Sequence, residues 1–324
     1  VGRPLTVVLV LLVGWLAAAA PAHALVLGAE DEAAMEPWAT NTAATLAVAH
    51  RMGATVWRYN VRWREVQTSP GHYDTAGVRH KVAAARRAGM RVLLTLGGGP
   101  ANPPPPSAGT LARPHVGAYL HFVRAVVRAT RGKVAAYTLG NEPNWSRMSP
   151  CHYRELYTQG RRTIRSIVRR PVLWGDFADG RNRDYTLRAL ACDPQHPIVS
   201  EGFAIHPYGD PADRTPRQGA IADVPAMHRW LVAHRAQLHT PSGATLPLYA
   251  TEMGFKVHKW PDRTIARKWL DALRLLVAGH VRWCVVYVIN DPGPHSWNTS
   301  ILHPDGTPRP QFYVLRHFAD RGRL

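Results

Sequence analysis

The sequence predicts a single (β/α)8 barrel, and three observations carry that prediction. Short apolar runs of β type recur eight times, amphipathic helical patterns stand between them, and about 300 residues follow a leader-like start, an ordinary length for such a barrel. The runs are Leu25–Leu27, Thr55–Trp63, Arg91–Leu96, Val134–Leu139, Pro171–Trp174, Ile198–Ile205, Leu246–Thr251 and Val281–Ile289.

Between them, Val116, Leu120, Val123 and Val127 form a helical stripe closed by Gly132. Tyr153, Leu156, Tyr157, Gly160, Ile164 and Ile167 form a second, and Met227, Trp230, Leu231, His234 and Leu238 a third. Val78, Val82 and Ala85 precede Gly89, a residue suited to ending a helix. A doubly wound open sheet is the alternative. It calls for a glycine-rich phosphate turn after the first strand, where this chain has Gly28-Ala29-Glu30-Asp31. Gly97-Gly98-Gly99 follows the third run, but Pro100 and Pro103–Pro106 stand where a helix would start. That stretch reads as a stiff loop over the barrel mouth.

The start of the chain predicts export. Arg3 precedes an apolar run from Leu5 to Ala20, and Ala22-His23-Ala24 is a small-x-small cleavage site. Residues 1–24 are therefore expected to be a signal peptide and residues 25–324 one catalytic-size domain. A membrane anchor is the competing reading, but the run is too short and Pro21 follows it at once. The expected product is secreted, with no membrane span.

Apolar content of 46% and charged content of 19% are globular values. The net charge is +18, and five of the 40 basic residues are lysine, leaving 35 arginines. No basic run with interleaved aromatics appears, so a nucleic-acid partner is not expected. A positive field could still hold the protein near anionic cell-envelope polymers. Three cysteines cannot all pair. Export permits a bond between Cys151 and Cys192, whose separation the sequence does not give, and Cys284 reads as a core residue. No Cys/His spacing suggests zinc, and no metal or cofactor is expected.

In barrel enzymes functional side chains sit where strands end and βα loops begin. The fourth run ends in Leu139-Gly140-Asn141-Glu142-Pro143-Asn144-Trp145, and the seventh in Ala250-Thr251-Glu252-Met253. Strands four and seven lie across the mouth from each other, so two carboxyl groups can face one cleft. Glycoside hydrolysis needs such a pair, one to protonate the leaving oxygen and one to attack the anomeric carbon or activate water.

Asn141-Glu142-Pro143, with Thr251-Glu252 at a strand end 110 residues after the first carboxylate, resembles the clan A retaining glycoside hydrolases. Families thirty-nine and five are the nearest by pattern, the former favoured by His206-Pro207-Tyr208. The resemblance implies Glu142 as general acid/base and Glu252 as nucleophile. It also implies Arg58 beside the nucleophile, Asn141 on the sugar 2-hydroxyl, His206 on sugar or acid/base, and Tyr208 on the nucleophile. Further matching segments are Trp63-Arg64-Glu65 with Pro70–Asp74, and Asp305–Pro310 before the last helix. One departure stands out: the clan usually has a Trp at the end of the eighth strand. This chain has Tyr287 there, so Tyr287 or Trp297 takes that place or the subsite floor differs.

Aromatic side chains can stack on sugar C–H faces, which makes Trp145 a candidate for a leaving-group subsite and Trp297 one for the last βα loop. Trp174, Trp269 and Trp283 read as core, and Glu201 as a structural residue. Glu30 and Asp31 are either sugar-hydroxyl ligands or solvated loop acids. The expected activity is a retaining hydrolysis of a poly- or oligosaccharide. A transglycosidase with the same residues, or a silent glycan-binding barrel, are the alternatives.

Overall fold

A computed structural model describes residues 25–32, 41–97, 104–293 and 297–321. The expected leader over residues 1–24 lies outside them, as does the 98–103 part of the proline-rich loop. Eight strands form a closed parallel barrel: β1 Val26–Glu30, β2 Val56–Val61, β3 Arg91–Leu96, β4 Ala136–Leu139, β5 Val172–Ala178, β6 Phe203–His206, β7 Leu248–Met253 and β8 Val281–Tyr287. Each neighbour in the ring is the next in sequence, and β8 closes on β1 with Val26 opposite Trp283 and Glu30 opposite Tyr287. The helices are α1 Thr42–Arg51, α2 Ala76–Arg87, α3 Val116–Ala129, α4 Pro150–Ile167, α5 Asn182–Ala191, α6 Val224–Ala233, α7 Asp262–Ala278 and α8 Pro310–Arg321. None of the described helices is long and apolar enough to cross a membrane.

Strand alternation explains how one sequence builds both a core and a site. The first inward positions are apolar. Val56, Leu93, Ala136, Leu173, Ala204 and Tyr249 form a plug at the N-terminal end of the barrel, with Val26 and Trp283 packed on it. Two residues further along, five of the strands turn polar on this face: Arg58, Thr95, Thr138, His206 and Thr251, all buried. The larger apolar cluster lies outside the strands, under the helices, and includes Trp57, Trp174 and Trp269.

Three elements differ from expectation. The sixth run is two pieces. Ile198–Val199 pairs with Leu238–His239 outside the barrel, and only Phe203–His206 enters it, because Gly202 packs against the Tyr249 ring where a side chain would not fit. The fifth strand runs on past Trp174 to Ala178. In α3 the buried face is Tyr119, Phe122, Val123, Val126 and Val127, while Val116 and Leu120 are only half-buried. The two aromatics outweigh the aliphatic stripe because they bury more area and stack with Trp63. Cys151 and Cys192 are joined by a disulfide with Cα atoms 5.5 Å apart, and Cys284 is free and buried.

Candidate active site

Arg58 is the centre of the mouth. It is fully buried, and its Nη1 donates to Glu252 Oε1 at 2.6 Å and to Glu30 Oε2. Nη2 donates to Asp176 Oδ2 at 2.8 Å and to Asn141 Oδ1 at 2.6 Å, and Nε donates to Thr95 Oγ1 at 3.0 Å. One guanidinium thus ties together β1, β5, β7 and the β4 loop. A planar fork of five donors is the side chain that can do this.

Asp176 is the residue that sequence reasoning missed. It takes Arg58, Thr95 (3.1 Å) and Thr138 (3.1 Å) on Oδ2 and Thr251 (2.5 Å) on Oδ1. It points inward because β5 changes register against β6 between Gly175 and Phe177. Gly175 has φ 105° and a Cβ there would sit 2.6 Å from the Ala204 carbonyl, so the irregularity needs glycine. Trp174-Gly175-Asp176-Phe177 was the available signal: a Gly-Asp pair inside an apolar run.

The two expected carboxylates arrive by local irregularities as well. Glu252 follows inward Thr251, and β7 slips its register against β8 between Ala250 and Met253. Glu142 has φ 51°, in the left-handed region that costs a non-glycine residue on the order of 1–3 kcal/mol. Its backbone is held there: its amide donates to Asp176 O at 2.9 Å, and its carbonyl accepts from Trp145 and Ser146. Asn144 clamps the same loop onto β5, receiving the Ala178 amide and donating to the carbonyls of Ala178 and Gly180.

His206 joins the pair. Its Nδ1 lies 2.9 Å from Glu142 Oε1 and 3.5 Å from Glu252 Oε2, while Nε2 stands 3.2 Å from Asp176 Oδ1, off the line for a hydrogen bond. One oxygen of each glutamate and a ring nitrogen of His206 lie within 4.8 Å of one another. Tyr208 donates its hydroxyl to Glu252 Oε2 at 3.1 Å. Arg58, His206 and Tyr208 thus converge on Glu252 or Glu142, and Asn141 joins them through Arg58.

The charges settle by burial against pairing. Burial opposes a charge on His206, but Glu252 and Asp176 outweigh it and its pKa is pushed up to about 10. Burial likewise opposes ionised Asp176, yet Arg58 and His206 hold it well below the usual carboxylate range. Glu252 is raised from its ordinary value, chiefly by burial with Glu142 and Asp176 adding, and opposed by His206 and Arg58. Burial also lifts Glu30 well above the carboxylate range and keeps the Tyr208 phenol protonated. Glu142, His206 and Glu252 have the spacing of a cation site. The same three groups are also spaced to pass protons between them.

The aromatic candidates stand at different depths. Tyr287 ends β8, half-buried and opposite Glu30 of β1, and its phenol is raised by burial and by Glu32, Glu252 and Glu30. Trp297 is half exposed on the rim, edge-on to Tyr208 at 5.5 Å, with Lys256 Nζ 3.6 Å from its ring centroid. Trp145 is exposed just past Glu142. Glu201 lies at the other end of the barrel, paired with Arg161 and accepting the Val172 amide at 3.0 Å, a structural role.

No family model matches the sequence, and no curated protein matches it. Solved structures do. A family 39 glycoside hydrolase from the gut symbiont Bacteroides cellulosilyticus WH2 superposes with a TM-score of 0.74 at 16% identity, covering 93% of this chain and 64% of that one. This chain therefore spans less than two thirds of that relative's length. A GH5_18 protein from Streptomyces cattleya, solved in complex with Manb1-4GlcNAc, has a TM-score of 0.70 at 14% identity over 93% of this chain and 81% of its own. Native xylanase 10B from Thermotoga maritima has a TM-score of 0.66 at 12% identity over 93% and 96%. At these identities the likeness establishes the fold, a (β/α)8 barrel shared with glycoside hydrolases, and the chemistry rests on the side chains at its mouth.

Proposed function

We propose that the chain is a retaining glycosidase that cleaves β-linked bonds of a poly- or oligosaccharide, with Glu142 as general acid/base and Glu252 as nucleophile. The observation that carries this is their spacing. One oxygen of each carboxyl group lies within 4.8 Å of the other, close enough for the short separation of roughly 5–5.5 Å between groups that double displacement uses. Inversion needs about 6.5–9.5 Å to admit a water between them.

Each side chain has a step. Glu142 gives its proton to the glycosidic oxygen as the bond to the leaving sugar breaks. A Glu252 oxygen forms an ester bond to the anomeric carbon. Water then attacks that carbon, Glu142 takes its proton, and the ester bond breaks to free Glu252. Arg58 and Tyr208 hold Glu252 in line and stabilise it as it leaves. His206 donates to Glu142 Oε1, leaving Oε2 to carry the proton that moves. Asn141 gives its carbonyl to Arg58, so its amide nitrogen is the group left to meet the sugar 2-hydroxyl.

A β-linked substrate is the reading common to neighbours described as an exo-beta-1,4-mannosidase, a beta-glucosidase and a complex with Manb1-4GlcNAc. Trp145 would stack on the leaving-group side and Trp297 and Tyr287 on the other. Secretion accords with the leader-like start over residues 1–24 and with the Cys151–Cys192 bond, which favours an oxidising compartment. The strongly positive net charge, +18 for the whole sequence with only Arg3 of it in residues 1–24, would hold the exported enzyme near anionic envelope polymers.

The test is chemical rescue after a screen of aryl β-glycosides and β-glycans. Glu252→Gly should lose turnover and, with azide, yield a glycosyl azide of inverted configuration. Turnover equal to wild type would remove Glu252 as nucleophile.

A further inference from the structure

Beside Arg58 lies a small recess of about 10 Å³, room for one water-sized group such as a hydroxyl, that the mechanism above does not use. It opens at the ends of β1 and β2, with Glu30, Asp31, Glu32, Arg58, Asn60 and Glu65 among its lining. Two of its buried side chains each carry one oxygen with no partner among the described residues. Glu30 is 1% exposed, and its Oε2 holds Arg58 while Oε1 has no hydrogen bond. Asn60, on the same inward row of β2 as Arg58, is 7% exposed and its Oδ1 is likewise unpaired. A buried polar atom left unpaired is costly, so both are built to be satisfied by something that enters.

On the proposed reading of the site, we infer that Glu30 is a specificity residue that hydrogen-bonds a hydroxyl of the glycone, so that the recess admits a single hydroxyl of an uncharged sugar. The chemistry favours a hydroxyl over its rivals. A hydroxyl both donates and accepts, so it satisfies Glu30 Oε1 whether that carboxyl is protonated or ionised. A uronic acid carboxylate would meet Asp31, Glu32 and Glu65, of which Glu32 and Glu65 already share Arg62. Glu30 also reaches the nucleophile through Arg58, whose Nη1 binds both carboxyls, so filling the recess braces the group that attacks.

Aryl β-glycosides with gluco, galacto, manno and xylo glycones, together with a β-glucuronide, separate these classes on wild type, Glu30→Gln and Asn60→Ala. For the best glycone, monodeoxy versions are added. One deoxy position should cost wild type about tenfold or more in kcat/KM and cost Glu30→Gln under about twofold, because that variant has already lost the contact. A role confined to holding Arg58 would leave every deoxy penalty intact in Glu30→Gln, and that result overturns the inference, as does a best rate on the glucuronide. Asn60→Ala touches no bond of Arg58 and carries the same coupling test if Glu30→Gln does not fold. Calorimetric binding of the free monosaccharides gives a readout apart from turnover. Glu30-dependent binding without hydrolysis would reject the glycosidase reading and keep the recess. Hydrolysis without Glu30 coupling would do the reverse, and absence of both binding and coupling rejects the recess.

Discussion

Arg58 donates to Asp176 at 2.8 Å with neither side chain reaching solvent. The pair is the structural root of the mouth. Removing one partner of a buried ion pair costs about 3–5 kcal/mol, and Arg58 keeping Glu30 and Glu252 points to the lower end of that range. Asp176→Ala should therefore lower unfolding free energy by that amount in urea denaturation. Asp176→Asn keeps the shape and should cost less in stability while still lowering turnover. A loss below about 1 kcal/mol for the alanine variant would mean that solvent or a neighbouring carboxylate replaces Asp176 on Arg58.

His206 should titrate far from an ordinary histidine. Its pKa is pushed up to about 10, above the unfolded value of about 6.5, so its contribution to stability is fully present below pH 6.5. That contribution is lost as pH rises towards 10. The stability difference between wild type and His206→Gln should shrink over this window, and the imidazole resonances in NMR should move with a midpoint near 10. A midpoint near 6.5 would show that the three carboxylates around it do not hold its proton.

Glu252 governs the acid side of activity. On the proposed mechanism it must be ionised to attack, and its pKa lies above the ordinary carboxylate value of about 4.3. The acid limb of kcat/KM should thus fall off above that value. Tyr208→Phe removes a donor to the ionised form, so the limb should move further up in pH and the rate plateau drop by about tenfold. An unmoved limb would indicate that the Tyr208 bond is absent in the free enzyme.

Leaving-group dependence separates Glu142 from a passive neighbour. Glu142→Ala should slow substrates with poor leaving groups by orders of magnitude more than aryl glycosides with activated phenols, which need no proton. Equal losses on both would reject the acid role.

The disulfide closes a stretch of 41 residues, which corresponds to about 4 kcal/mol in the chain-entropy model. A Cys151→Ala, Cys192→Ala double variant should lose about 2–4 kcal/mol in denaturation, matching wild type under reducing agent.

Period-two alternation and strand-end position were legible in the sequence. Strand-end position points to Glu142 and Glu252, while Arg58 and His206 come from the resemblance to clan A glycosidases. What alternation cannot convey is a break in its own rhythm. Asp176 points inward only because Gly175 takes a positive φ and β5 shifts register, so a strict pleat rule ends that strand at Trp174 and passes over the carboxylate. Glu30 posed the opposite difficulty. Its place at the end of β1 was visible, but a loop acid and a buried ligand of Arg58 look alike until the β1–β2 packing is known. The α3 face was misplaced for a third reason: an aliphatic stripe and an aromatic one compete on the same helix, and only the neighbouring Trp63 decides between them.

The reach of Arg58 has a consequence for how the protein could be taken apart. Its partners Glu30, Asn141, Asp176 and Glu252 stand 28, 83, 118 and 194 positions away in sequence. No contiguous fragment shorter than most of the barrel contains them all. Two halves divided in the exposed turn before β5 would each carry one of the two catalytic glutamates and be inert alone. Recovery of turnover on mixing would then report ring closure directly, making hydrolysis a readout of reassembly.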